Sequence, residues 1–157
     1  MIKYIMLIIV LGLIVSFFVR NNANREAAKV NLLESAEFLQ NNKKVDGVIE
    51  TASGLQYQVL KEGQGDVHPK ASTKVKVHYH GTLLNGTVFD SSVERNEPIS
   101  FGLNQVIKGW TEGLQLMVVG EKTRLFIPAA LAYGNSATGK IPGGSLLIFD
   151  VELLAIN

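Results

Sequence analysis

The sequence predicts an α+β domain in which a curved antiparallel β-sheet wraps around one short α-helix. Apolar and polar residues alternate with period two in four separate segments between Leu55 and Leu154, as they do in half-buried strands. One segment among these strands has a single apolar stripe at helical spacing. This one-sided alternation indicates an antiparallel sheet, and glycine-rich turns at residues 84–86 and 139–144 separate the elements. The second turn is long enough to act as a flap, and residues 139–144 are called the flap below.

The N-terminus is a separate element ahead of this domain. Residues 4–19 carry no charge, and as a helix they would be about 24 Å long. This length lies between the apolar core of a secretory signal and a membrane-spanning helix. The segment ends in bulky side chains, whereas signal peptidase prefers small ones. The sequence therefore indicates that residues 1–20 form a transmembrane signal anchor that is retained in the mature chain.

The flanking basic residues determine the orientation of this anchor poorly. We expect the following domain to be exported. The chain is then a single-pass protein of the inner (cytoplasmic) membrane, with its folded domain facing the periplasm. Cleavage of a signal and secretion of the domain to the periplasm is the alternative.

Residues 21–46 are polar and helix-forming, and they predict a short amphipathic stalk. The apolar stripe of this stalk recurs at steps of three to four residues and consists of Ala28, Leu32, Ala36 and Leu39. It could pack on the following domain, pair with a second copy of the chain, or belong to a solvated spacer. Gly47 follows a basic run and indicates a helix stop, so the folded domain is expected over residues 47–157.

Within that domain, strands are predicted at residues 55–60, 75–79, 123–128 and 146–154. In the second of them, Val75, Val77 and Tyr79 face one way, and the polar residues between them face the other. The helix is predicted over about three turns. Its stripe consists of Val106, Ile107, Trp110, Leu114 and Met117.

Composition excludes several classes of function. The formal net charge is +1, and from Val45 onward there are 9 Lys and Arg against 11 Asp and Glu. Neither nucleic acid nor an anionic lipid surface is therefore indicated as a partner of the domain. The chain has no cysteine, which excludes disulfides, thiolate nucleophiles and zinc–thiolate sites.

Motifs for metal, nucleotide and hydrolytic sites are also missing from the sequence. His78 and His80 have a spacing that could bind a metal, but their strand offers no third ligand, so an exposed polar face is the better interpretation. No G-x-S-x-G elbow, P-loop or strand-linked G-x-G-x-x-G occurs. The sequence predicts no metal and no cofactor. What remains is a set of aromatic residues with one embedded acid, drawn from separate elements that can converge on one concavity: Tyr79, Phe89, Asp90, Phe101, Trp110, Tyr133 and Phe149.

Three long runs of the domain carry a resemblance to a known family. Residues 75–92 (VKVHYHGTLLNGTVFDSS), 98–128 and 131–154 resemble the FKBP-type peptidyl-prolyl cis/trans isomerases. Residues 36–66 resemble the bacterial macrophage infectivity potentiator-like branch of that family, whose helical N-terminal segment often dimerises. This chain departs from that branch in its stalk of some twenty residues and in its apolar N-terminal segment. The resemblance implies an FKBP-like fold and peptidyl-prolyl isomerase activity.

The resemblance also implies roles for residues that match the family motifs. Trp110 of V-I-x-G-W floors the proline pocket, and Tyr133 of A-Y-G donates its hydroxyl to the substrate carbonyl. The expected catalytic residues are Asp90, Tyr133 and Phe89, with Phe89 and Asp90 forming the F-D motif beside the bound amide. The expected substrate-binding residues are Tyr79, Phe101, Val106, Ile107, Trp110, Ile141 on the flap, and Phe149. Each aromatic taken alone could instead be plain core, and Asp90 could be a helix or turn cap.

The function expected from this resemblance is acceleration of X-Pro bond rotation during folding of exported proteins. The expected partners are proline-containing polypeptides and macrolide inhibitors, with the membrane at the N-terminal helix. A homodimer through the stalk is a further alternative. A second function remains open, a proline-segment-binding chaperone or assembly factor whose isomerase activity is incidental.

Overall fold

The computed structural model describes residues 2–157, without the side chains of residues 2–5, 7 and 8. The described residues form one long helix followed by an α+β domain, which confirms the predicted fold class. The helices are α1 (Ile2–Asn42) and α2 (Lys108–Leu114). The strands are β1 (Val48–Glu50), β2 (Gln56–Lys61), β3 (Lys74–Leu83), β4 (Val88–Ser91), β5 (Ile99–Gly102), β6 (Lys122–Ile127) and β7 (Leu147–Ile156).

The strands form one antiparallel sheet in the order β1-β2-β6-β7-β3-β4, and β5 also pairs with β3. One edge of β3 pairs with β7 from Val75 to Leu83, while the other edge is shared by β5 and β4 in turn. The register between β3 and β7 shifts at Lys76 and Val77, and such a bulge bends a strand and increases its twist. The sheet therefore curves around α2.

The inner face of the sheet forms the core of the domain. Val75, Val77 and Tyr79 are buried on β3, as their alternation predicts. From β7 the core receives Leu147, Phe149, Val151 and Leu153. His78 and His80 lie on the opposite face of β3, as predicted, but they are half-buried, and the Nδ1 of each ring lies 2.9 Å from a serine Oγ.

Helix α2 is shorter than the apolar stripe predicts. Val106 is extended and Ile107 is the N-cap, so both precede the helix. Two glycines one turn apart let α2 lie directly on β6: a Cβ on Gly109 would meet Ile127 Cγ2 at 2.4 Å, and a Cβ on Gly113 would meet Leu125 at 2.9 Å. This close contact carries Trp110 into the core between helix and sheet.

The described part of the predicted anchor and the predicted stalk as far as Asn42 form a single continuous helix, while residues 43–46 of the predicted stalk lie in the following turn. At 1.5 Å per residue α1 is about 60 Å long. It ends at Asn42, and Gly47 lies with φ +80° in the turn before β1, a conformation that glycine adopts without a steric penalty.

The second half of α1 packs on the outer face of the sheet. Gln56 is fully buried there, and its polar atoms are satisfied, since it accepts a hydrogen bond from Asn42 Nδ2 (2.9 Å) and donates to the carbonyl of Leu39 (2.9 Å). Phe38 contacts Phe126 with ring centroids 5.8 Å apart. The period-two pattern of β2 wrongly predicts Gln56 on a solvated face, since it cannot include a helix covering that face.

Packing on the following domain is thus the alternative that the stalk adopts in this structure. The predicted stripe is correct only in part, because Ala28 is buried while Leu32 and Ala36 are exposed. Leu39 is half-buried, and its carbonyl accepts the hydrogen bond from Gln56. Most of the other contacts with the domain come from a more polar stripe at steps of three and four: Ala28, Asn31, Ser35, Phe38 and Asn42.

Among the described residues, no helix has the length and apolar character that crossing a membrane requires. The predicted anchor at residues 1–20 includes Met1, which lies outside the described residues, and several side chains that are not described. The described apolar side chains of this segment, Met6 and those of residues 9–19, are exposed.

Candidate active site

A cavity of about 660 Å³ opens between α2, the inner face of the sheet and the tip of the flap. It brings together all ten predicted site residues: Tyr79, Phe89, Asp90, Phe101, Val106, Ile107, Trp110, Tyr133, Ile141 and Phe149. These residues come from four strands, α2, the approach to α2 and two loops. Their convergence is a structural observation, and the role of each residue remains a proposal.

Trp110 lies at the centre of the aromatic lining. It meets Tyr79 and Phe149 edge to face at centroid distances of 5.2 and 5.1 Å, and Phe101 at 5.3 Å. Edge-to-face contacts of this kind are favourable for aromatic rings. The indole is only 5% exposed, and its buried Nε1 has no hydrogen-bond partner within the described part of the chain. Packing therefore fixes the indole as an apolar floor.

A charged pair at the rim adjoins this floor. The hydroxyl of Tyr79 donates to Asp90 Oδ2 at 2.5 Å, and Arg95 donates through Nη1 to Asp90 and through Nη2 to the Tyr79 oxygen (3.1 Å). Burial alone would raise the pKa of Asp90, but the hydrogen bonds from Tyr79 and Arg95 and the charge of Arg95 outweigh it and hold that pKa below its ordinary value. Burial and then the hydrogen bond to Asp90 raise the pKa of Tyr79. The site thus holds an ionised carboxylate beside a protonated phenol.

The first half of the flap, residues 139–141, lines the cavity. Thr138 and Ile141 exchange two backbone hydrogen bonds of 2.9 Å, and the amide of Gly144 donates to the carbonyl of Gly134 at 2.8 Å. Tyr133 lies beside this loop and lines the cavity, with 41% of its surface exposed.

Six lining residues were not among the predicted site residues: Ile99, Gln105, Ala132, and Thr138, Gly139 and Lys140 at the flap. Ile99 could have been found, because it stands two residues before Phe101 on β5 and therefore shares its face. Arg95 belongs to no sequence motif that would have identified it. Its contact with Asp90 depends on the turn that follows β4. Within residues 2–157, no group of three His, Cys, Asp or Glu side chains is arranged to hold a metal ion.

Fold and cavity together define a class of protein: an α+β roll with an aromatic cavity and one carboxylate at the rim of that cavity. The sequence profile described as "FKBP-type peptidyl-prolyl cis-trans isomerase" matches residues 65–154. The profile described as "Domain amino terminal to FKBP-type peptidyl-prolyl isomerase" matches residues 14–59. The chain belongs to the family of FKBP-type peptidyl-prolyl cis-trans isomerases.

Individual relatives agree with this assignment. The chain is 56% identical over 135 residues to the FKBP-type peptidyl-prolyl cis-trans isomerase FkpA of Aeromonas hydrophila, a match that covers 86% of this chain and 50% of the relative. It is 48% identical over 133 residues to the FKBP-type 22 kDa peptidyl-prolyl cis-trans isomerase of Escherichia coli, covering 84% of this chain and 64% of the relative. The chain thus spans between half and two thirds of the length of these curated relatives.

Two solved structures are also similar. The crystal structure of FkpA from Escherichia coli superposes with a TM-score of 0.84 at 41% identity, covering 93% of this chain and 70% of that one. The crystal structure of a peptidyl-prolyl cis-trans isomerase from Pseudomonas syringae pv. tomato has a TM-score of 0.75 at 39% identity, covering 85% and 96%. The second match extends over nearly the whole of that protein.

Proposed function

We propose that this chain is a peptidyl-prolyl cis/trans isomerase whose active site is the Trp110 cavity. The observation that carries the proposal is an aromatic cavity with a buried indole at its base and the Tyr79–Asp90–Arg95 group at its rim. Such a cavity fits a prolyl ring, which is small and apolar. The surrounding groups fit a reaction in which no bond is broken.

The chemistry of the X-Pro bond explains why this kind of site suffices. Resonance keeps the amide planar, and the barrier to its rotation is about 18–20 kcal/mol. At the twisted transition state resonance is lost and the amide is less dipolar, so an apolar cavity disfavours the planar ground state relative to it. With the prolyl ring fixed on Trp110, rotation is confined to one bond, the C–N bond of the X-Pro amide.

Polar groups at the rim then orient the substrate carbonyl. We assign the Tyr133 hydroxyl as its hydrogen-bond donor, together with the main chain at Ile107. Asp90 acts at the edge of the cavity beside Phe89, where its carboxylate faces the rotating amide. Each 1.4 kcal/mol of preference for the transition state raises the rate about tenfold.

A protease-free assay of cis-to-trans conversion in an X-Pro peptide tests the proposal. The wild-type chain is expected to accelerate conversion in proportion to its concentration, and a macrolide with a pipecolyl ring is expected to compete with the peptide. Trp110→Leu should lower kcat/KM by about tenfold or more, because the flat base for the prolyl ring is lost. If the wild-type chain leaves conversion at the uncatalysed rate, the proposed isomerase activity is refuted, and the alternative function, a proline-segment-binding chaperone, remains.

The physiological substrates we propose are proline-containing segments of exported proteins, with the domain in the periplasm. The first half of α1 supports attachment to the inner membrane, because its described apolar side chains from Met6 to Val19 are exposed and need a covering partner. A second copy of the chain, paired along α1, is the alternative partner.

Membrane attachment makes a direct prediction about the mature chain. In a washed membrane fraction we expect the isomerase domain to be retained with the mass of the uncleaved chain. Recovery only in the soluble fraction, with a mass lowered by loss of the N-terminal segment, would show a cleaved signal instead.

A further inference from the structure

The C-terminal end of the flap lies directly under α1. Asn31 Nδ2 donates to the carbonyl of Gly143 at 2.8 Å, and Ser35 Oγ to the carbonyl of Gly144 at 3.4 Å. Ala28 is 3% exposed and packs on the same glycines. A Cβ on Gly143 would stand 3.3 Å from Ala28 Cβ, and one on Gly144 would stand 2.3 Å from the Ala28 carbonyl oxygen. The helix and the flap therefore meet backbone to backbone.

The other end of the flap is a wall of the cavity. Gly139, Lys140 and Ile141 line it, and Ile141 is 7% exposed. Only Pro142 separates Ile141 from Gly143, the residue that accepts the hydrogen bond from Asn31. A movement of the flap away from α1 would therefore move the cavity wall with it.

The composition of the flap makes it costly in conformational entropy to order. Three of its six residues are glycine, and glycine loses more conformational freedom than any other residue when it is fixed. Backbone hydrogen bonds hold the loop at Thr138–Ile141 and at Gly144. The contacts from α1 add a fixed helical surface on the outer side, away from the cavity.

We propose that Asn31 and Ala28 are positioning residues for the isomerase site, which hold the flap in its substrate-binding conformation from outside the cavity. The inference deepens the proposed function and rests on it. A flap that is ordered before binding spares the complex the entropy of ordering it. The part of α1 nearest the domain thus contributes to substrate affinity without touching substrate.

This role has a kinetic signature different from that of a catalytic group. A loosened flap weakens binding of the planar ground state and the twisted transition state equally, so KM rises and kcat stays nearly constant. Substitution of a residue with a purely structural role would lower the amount of folded protein and leave KM unchanged.

The test compares Asn31→Ala, Asn31→Asp and Ser35→Ala in the full chain, with Leu33→Ala as the matched control. Asn31→Asp keeps the size of the side chain but replaces the donor with an ionised acceptor that faces the Gly143 carbonyl. An effect at least as large as that of Asn31→Ala would therefore be due to the lost hydrogen bond and not to lost packing. Leu33 lies on the same turn of α1 with 73% of its surface exposed. The two readouts are the KM and kcat of the X-Pro assay and the hydrogen exchange of the Thr138 and Ile141 amides.

For both Asn31 variants we expect KM and the exchange of these amides to rise by about two- to tenfold, the equivalent of one hydrogen bond. Ser35→Ala should have a smaller effect because its contact is longer, and Leu33→Ala should have none. Unchanged exchange in both Asn31 variants, or an equal rise of KM in Leu33→Ala, would overturn the proposal. A wild-type chain without isomerase activity would refute the proposed function, while the exchange comparison would still decide whether α1 holds the flap.

Discussion

Replacing Asp90 with alanine is expected to lower kcat/KM by about tenfold or more. The carboxylate accepts hydrogen bonds from Tyr79 and Arg95 at once. Without it, the Tyr79 hydroxyl loses its acceptor inside the cavity and Arg95 loses its counter-charge at the rim. The change therefore removes the proposed contact with the rotating amide and disorders the groups beside it. The X-Pro assay measures the effect directly.

Asp150→Ala is the matched control for this variant. Asp150 also forms an ion pair, with Arg124 Nε and Nη2 at 2.6 and 2.8 Å, but it does not line the cavity. Both substitutions remove one paired carboxylate, so a general effect of losing an ion pair would appear in both. We expect Asp150→Ala to leave kcat/KM per folded molecule near the wild-type value. Equal losses in the two variants would contradict a specific role for Asp90.

The pH dependence of the wild type provides a second measure of the same carboxylate. The pKa of Asp90 is lowered in the folded chain, so its charge and the associated stability are present above the ordinary carboxyl pKa and are lost as the pH falls through the lowered value. Because the pKa of Tyr79 is raised, its hydroxyl stays protonated in mildly alkaline solution. Wild-type activity should be level between about pH 5 and 9 and fall only below about pH 4. A fall in activity already near pH 6 would show that the activity depends on the ionisation of a group other than Asp90.

Local patterns predicted those parts of the structure that local interactions determine. The alternation in β3 identified its buried face because successive side chains of a strand point to opposite sides. The cavity residues could be predicted from the motifs that place Trp110 on α2 and Asp90 on β4. The length of α2 could not, because Val106 and Ile107 continue its apolar stripe while following an extended path into the cavity.

Contacts between distant segments account for what the sequence did not reveal. Gln56 is buried by α1 through Asn42 and Leu39, and nothing in the alternation of β2 indicates a helix on that face. The contact of Asn31 with Gly143 joins residues 112 positions apart. Arg95 reaches Asp90 because the chain reverses after β4, where Asn96 adopts a φ of +51°. In each case a polar residue in an ordinary local pattern acquires its role from the tertiary fold.

Gly109→Ala is expected to destabilise the domain and lower its activity, although alanine is the better helix former. In a helix interior, alanine is more stabilising than glycine by about 1 kcal/mol. The new Cβ would lie 2.4 Å from Ile127 Cγ2 and 2.9 Å from Ile127 Cδ1, and Ile127 is fully buried. Overpacking of this kind costs about 1–3 kcal/mol, so we expect a net loss in the free energy of unfolding measured by urea. Since α2 must move away from β6, Trp110 is displaced and kcat/KM falls.

A double-mutant cycle with Ile127→Ala tests the cause of this loss. Ile127→Ala alone leaves a cavity and destabilises the domain, but it also creates the space that the Cβ at position 109 needs. The double variant should therefore be more stable than the sum of the two single effects predicts. Gly12→Ala is the control, because a Cβ there meets nothing within 4 Å, and it should leave kcat/KM unchanged. Additive effects of Gly109→Ala and Ile127→Ala would show that the close approach of α2 to β6 is not what requires glycine, and that Trp110 is held in the cavity by other contacts.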